Sequence, residues 1–225
     1  MRLHIGAIPS SPDFNPDPLW KSLRYFSPWI EKLVVFPIGI VAAAVVAFLW
    51  FAFTPLEDVT PTISLPAFLV SFVGTVFWFA YIPLLNVAPS MSLPAFFVSV
   101  AGVVVVHELL HAVVYPMSVG SSQTTVGFWP SGMMCYAHYD GELTRNRFLA
   151  VLLMPLIIIS FVPLLVAAVA QVTSGWVAFI SVFNVFGACG DVLIAGMVLF
   201  KIPATGIVCD QGGRFYWREH ETLAA

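Results

Sequence analysis

Residues 103–116 read VVVVHELLHAVVYP, two histidines and a glutamate inside a run otherwise apolar enough to cross a bilayer. His107 and His111 are four residues apart, which on a helix sets both imidazoles on one face, one turn apart, near enough to share a tetrahedral ion. Glu108 lies beside them as a carboxylate able to act as general base toward a water at such an ion. This H-E-x-x-H spacing is suited to metal-assisted hydrolysis, with zinc as the ion expected. At the chain's own His and Glu frequencies it would arise by chance in about 0.3% of shuffled sequences, so it carries information beyond composition.

The elements that must position these residues are membrane helices. Of 225 residues, 60% are hydrophobic and 9% charged, against about 25% charged in an ordinary soluble domain. Apolar runs of the roughly 20 residues that a span requires occur at 33–53, 65–86, 93–114, 148–171 and 176–200. The fold class expected is therefore an all-α membrane protein. It would be a polytopic bundle of about five transmembrane helices, with a small β-hairpin between the third and fourth.

Inside those spans lie two acidic residues, Glu108 and Asp191, two histidines, His107 and His111, and no Lys or Arg. A charged group at mid-bilayer costs at least about 2.5–3.5 kcal/mol, so each of these acids requires compensation. A catalytic zinc usually takes three protein ligands and leaves the fourth position open, and Asp191 is the candidate third ligand. The histidines lie about 21–27 Å into the third span and Asp191 about 22 Å into the fifth, at 1.5 Å per residue. With an antiparallel fourth span between them, equal depth means equal height. One divalent ion would also offset the two carboxylates.

Two weaker candidates concern substrate binding. Asn184 precedes Asp191 by seven residues and so shares its helix face, with Gly187 and Gly190 expected to permit close backbone approach. His138, in YAHYDGEL, is read as a substrate-binding or oxyanion-stabilising residue, or as an alternative third ligand. His4, His220 and Asp210 lie in the tails and receive no role.

The remaining sequence divides into a polar tail over 1–32, two accessory spans over 33–92, a core over 93–200 with a polar loop at 117–147, and a polar tail over 201–225. The stretch TISLPAFLVSFVG at 62–74 echoes SMSLPAFFVSVAG at 90–102 and marks two helix starts, with Ser64 and Ser92 as N-caps and Pro66 and Pro94 in the first turns. In the polar loop, Thr124, Thr125, Val126, Phe128 and Trp129 favour extended structure. A turn at Pro130, Ser131 and Gly132 lets Cys135 to Tyr139 return as a second strand. Cys135, Cys189 and Cys209 have no C-x-x-C spacing and read as free thiols. A net charge of −3 without a basic cluster argues against a nucleic-acid partner. The central loop and C-terminal tail share a face and carry Arg145, Arg147, Lys201, Arg214 and Arg218, against Arg2, Lys21, Arg24 and Lys32 in the N-terminal tail. The positive-inside rule thus points to a cytoplasmic central loop.

HELLH late in one span, a polar hairpin-like loop, another span, and then NVFGACGD in the next together resemble the intramembrane zinc proteases of the site-2 protease type. The likeness is strongest to their small zincin-like branch, which YAHYDGELTRNRF and GIVCDQGGRFYW also resemble, and it covers residues 93–200. In that family a three-helix core carries the two histidines on its first helix and an aspartate on its third, usually within N-x-x-P-x-x-x-L-D-G. Asn184 and Asp191 keep the seven-residue gap, whereas Gly187 replaces the proline, Gly190 the leucine and Val192 the final glycine.

The resemblance implies hydrolysis, within the bilayer, of a membrane-embedded or membrane-adjacent protein or peptide, with one Zn2+ held by His107, His111 and Asp191 and Glu108 as general base. An extended substrate would then pair with an edge strand at Thr124 to Trp129, since a helical substrate hides its peptide bonds. The alternative from another functional class is a transporter of metal ions or protons that uses the same buried cluster.

Overall fold

In the computed structural model of the chain, the residues described are 1–11, 14–16, 19–23, 28–54, 93–116, 120–172 and 174–219. They form seven strands in two sheets, together with helices, so the expected all-α bundle gives way to a mixed α/β fold. The strands are β1 (Arg2–Ile5), β2 (Lys21–Ser22), β3 (Thr124–Trp129), β4 (Met134–Tyr139), β5 (Glu142–Thr144), β6 (Gly206–Gln211) and β7 (Arg214–Glu219). The helices are α1 (Pro28–Phe53), α2 (Leu93–Val114), α3 (Arg145–Pro155), α4 (Val162–Ala170), α5 (Gly175–Gly187) and α6 (Cys189–Lys201), with a π-helical turn at Leu156–Phe161 between α3 and α4.

Among the described residues, two helices are long and apolar enough to cross a membrane, Phe97–Val114 and Arg145–Ala170. A third arises if the bent pair Gly175–Gly187 and Cys189–Lys201 counts as one span, and Val34–Trp50 is a shorter apolar helix. The expected five spans are corrected to this number. The span expected at 65–86 lies outside the described residues, as do Ser64, Pro66 and Ser92.

The chain divides into two units. The first comprises residues 1–33, 104–155 and 190–225, and it holds both sheets. One sheet has the order β1-β3-β4, with β1 parallel to β3 and β3 antiparallel to β4. The Thr- and Val-rich start of β3 suits a pleated surface, and the turn at Pro130–Gly132 closes on Met133 in the left-handed region (φ 48°). β3 is thus the central strand of this sheet, which corrects the expectation that Thr124 to Trp129 offers a free edge; among the described residues the edges are β1 and β4.

The other sheet has the order β2-β7-β6-β5, antiparallel throughout. Its β6–β7 turn is Gly212-Gly213, both at positive φ (63° and 78°), the conformation a two-residue hairpin needs and glycine adopts without strain. The N-terminal segment is not a free tail. β1 lies along β3, the Gly212 amide donates to the Pro9 carbonyl (3.0 Å), and Leu23 is fully buried. One core joins Leu23, Val208, Trp217 and Leu143 to Phe148, Val151 and Leu152 of α3, Ala195 and Val198 of α6, and Ala112 of α2.

The second unit comprises residues 34–103 and 156–189. Its apolar core of Val46, Trp50, Leu164, Ala167 and Val185 encloses a polar knot. Ser160 and Ser181 each donate to the other's carbonyl (2.9 and 3.0 Å), Trp50 Nε1 donates to Ser181 Oγ, and Asn184 Nδ2 donates to Ser160 Oγ, both at 2.9 Å. The π-helical turn Leu156–Phe161 contributes Ser160 to this knot, its carbonyl accepting from the Ser181 hydroxyl.

Candidate metal centre

α2 carries His107 and His111 one turn apart, and both side chains face a third group from α6. That group is Asp191, in the first turn of α6, where the helix dipole favours a carboxylate. It arrives there because the helical run breaks at Ala188, between α5 and α6. Gly187 and Gly190 flank this break. A Cβ at either would meet nothing within 4 Å, so the expectation that they permit close backbone approach is corrected.

His107 Nε2 lies 3.1 Å from Asp191 Oδ2 and 3.1 Å from His111 Nε2, and His111 Nε2 lies 3.5 Å from Asp191 Oδ2. Three ligand atoms so placed form a nearly equilateral triangle. Tetrahedral ligands at zinc distances of about 2.0–2.1 Å are about 3.3–3.4 Å apart, so the triangle fits such an ion. The donor set, two imidazoles and a carboxylate, suits the same ion. His111 Nδ1 donates to the Val151 carbonyl (2.8 Å), which fixes the tautomer that leaves the Nε2 lone pair facing the triangle. The side chains are 12%, 9% and 19% exposed, so the converging groups are largely shielded from solvent and could hold an ion.

Glu108 stands beside the triangle, within electrostatic reach of all three ligands, and its carboxylate faces the Ala137 N–H of β4. The phase of the β3–β4 ladder explains why that N–H is free. The Asp140 amide bonds the Gln123 carbonyl (2.9 Å), and hydrogen-bonded pairs alternate in an antiparallel ladder. His138 and Tyr136 therefore pair with β3, while Cys135, Ala137 and Tyr139 turn their backbone groups to the open edge. The Ala137 carbonyl accepts the Tyr115 hydroxyl at 3.1 Å.

The two substrate-binding candidates are placed elsewhere. His138 is 1% exposed, with Nδ1 3.1 Å from Asp210 Oδ2, so it ties β4 to β6. Asn184 belongs to the serine knot of the second unit. Asp210, to which the sequence reading assigned no role, is the partner of His138, and His4 Nδ1 lies 2.6 Å from the Tyr136 hydroxyl. Tyr115, one residue past the end of α2, carried no sequence signal of its contact with β4. The three cysteines form no disulfide, and burial pushes the Cys209 thiol up to about 12, which keeps it protonated.

Residues 100–206 match a family model described as "Putative zincin peptidase". The matched segment contains His107, Glu108, His111 and Asp191, and the match points to a metallopeptidase and to zinc as its ion. Comparison with curated proteins and with solved structures returned no match.

Proposed function

We propose that this chain is an intramembrane zinc metallopeptidase of the site-2 protease type, acting on membrane-embedded or membrane-adjacent peptides. The triangle of His107, His111 and Asp191 beside Glu108 is the observation that carries this reading. The zinc-binding residues would be those three side chains, and the bound ion would supply Lewis acidity at the scissile carbonyl and acidify a water ligand. Glu108 takes the proton from the attacking water on a carboxylate oxygen and returns it to the leaving amine.

The depth of the site supports cleavage within the bilayer. Glu108 lies inside the apolar helix Phe97–Val114, and Tyr139 stacks on Tyr115 just past its end. From Tyr139 to Ala137, β4 therefore lies against the C-terminal end of α2, with Ala137 near Glu108. Exposed Phe128, Met133 and Met134 cluster at the turn between β3 and β4, a surface suited to lipid. An open strand edge at that depth must be wet or paired, because unsatisfied backbone groups are costly in hydrocarbon. Water for hydrolysis and the backbone of an unwound peptide both meet this need.

The test uses the purified full chain in liposomes with a reporter peptide containing one transmembrane segment. Cleavage is expected, lost on treatment with a chelator and restored by zinc; cleavage that persists without metal contradicts the reading. A second measurement addresses the edge. Cys135→Pro removes an N–H that does not pair with β3, and it is expected to lower kcat/KM about two- to tenfold, while Cys135→Ala leaves it unchanged. Equal cleavage by the two variants counts against strand pairing.

A further inference from the structure

We propose that Pro155 is a positioning residue for His111, acting through the carbonyl of Val151. Proline has no N–H, so in an α-helix the carbonyl four residues before it loses its helical donor, and the ring crowds that carbonyl away from the helix axis. α3 ends on Pro155, and the carbonyl four residues back belongs to Val151. That same carbonyl accepts the Nδ1–H of His111, at 2.8 Å. Val151 and Pro155 are both buried, so water does not compete for it. The donor that proline withholds from within the helix is supplied by the imidazole of α2.

A second contact keeps the two helices in register for this exchange. Arg147, one turn before Val151 on α3, donates its Nε–H to the Val114 carbonyl (2.7 Å), and Val114 follows His111 on the next turn of α2. The two contacts run in opposite chain order, so α2 and α3 lie antiparallel here, with the arginine at the helix ends and the histidine about one turn deeper. Pro155→Ala would return an N–H to the Val151 carbonyl and let it lie back along the axis. His111 would then lose the acceptor that holds its proton on Nδ1. A neutral imidazole without that acceptor favours the proton on Nε2, where Asp191 Oδ2, 3.5 Å away, would accept it. A proton there occupies the lone pair that a metal needs.

The metal part of this inference rests on His111 being a zinc ligand; the hydrogen-bond part does not. The test compares Pro155→Ala with Pro163→Ala, which makes the same chemical change in α4 of the second unit. The full chain, labelled with 15N-histidine and held metal-free in lipid nanodiscs at a pH where histidine is neutral, reports which nitrogen of His111 carries the proton. The His111 resonances are those absent from His111→Ala. Wild type and Pro163→Ala are expected to show His111 protonated on Nδ1, and Pro155→Ala to move the proton toward Nε2. Zinc titration is expected to find affinity about 10- to 100-fold lower in Pro155→Ala and unchanged in Pro163→Ala. If the space left by alanine disturbs folding, Pro155→Val refills it and keeps the new N–H, with the same result expected. A His111 that stays protonated on Nδ1 in the Pro155 variants overturns the assignment, as does an equal shift in Pro163→Ala. Zinc affinity that falls with no change of tautomer marks a packing effect and overturns it too. A wild-type chain that takes up no zinc while the tautomer shifts as described overturns the metal reading and leaves the role of Pro155 standing.

Discussion

Glu108→Gln is expected to keep its zinc and to lose about 10²- to 10⁴-fold in turnover. Glutamine preserves the length and shape of the side chain, so the metal triangle beside it is left in place. What disappears is a carboxylate that can receive the water's proton and deliver it to the leaving amine. Elemental analysis of the purified variant, paired with its rate on the reporter peptide, separates binding from chemistry. A variant that retains more than a tenth of the wild-type rate would show that the proton goes elsewhere.

The second large effect concerns the ligands. Asp191→Ala and His111→Ala each open one side of a triangle that has no spare protein donor among the described residues. Loss of a partner that merely orients a ligand costs about 10- to 100-fold in metal affinity, and loss of a ligand itself is expected to cost more. Titration with zinc in detergent should therefore find both variants metal-free at concentrations that saturate wild type. His138→Ala is the useful contrast. Its imidazole bonds Asp210 and lies outside the triangle, so zinc affinity is expected to stay at the wild-type level. Loss of zinc from His138→Ala, or its retention by Asp191→Ala, would reassign the third ligand.

Much of this site could be read from the chain because its parts obey local periodicity. Two histidines at helical spacing face one way whatever surrounds them, and Asp191 was reached by equal depth in two apolar runs. The break at Ala188 was not legible: the composition around it is as apolar as any helix interior, and only the structure shows that Asp191 begins a new helix. The sheets were harder still. β2 pairs with β7 across most of the chain length and β5 with β6 across all of α3 to α6, and β1 is exposed along its whole length, so no buried face announces it. The hairpin at β3 and β4 was visible from its β-branched residues and its turn. Its free edge was assigned to the wrong strand, because nothing in residues 124–139 reveals that β1 covers β3. The pairing of His138 with Asp210 joins residues 72 apart and needs the same long-range topology.

X-ray absorption at the zinc edge, on the full chain purified in detergent and loaded with one equivalent of zinc, bears most directly on the centre. The expected spectrum shows two imidazole nitrogens and one or two oxygens at about 2.0–2.2 Å, with one oxygen lost in Asp191→Ala. A chain that takes up no zinc, or a first shell without imidazole, would contradict the assignment of His107, His111 and Asp191 as a metal site.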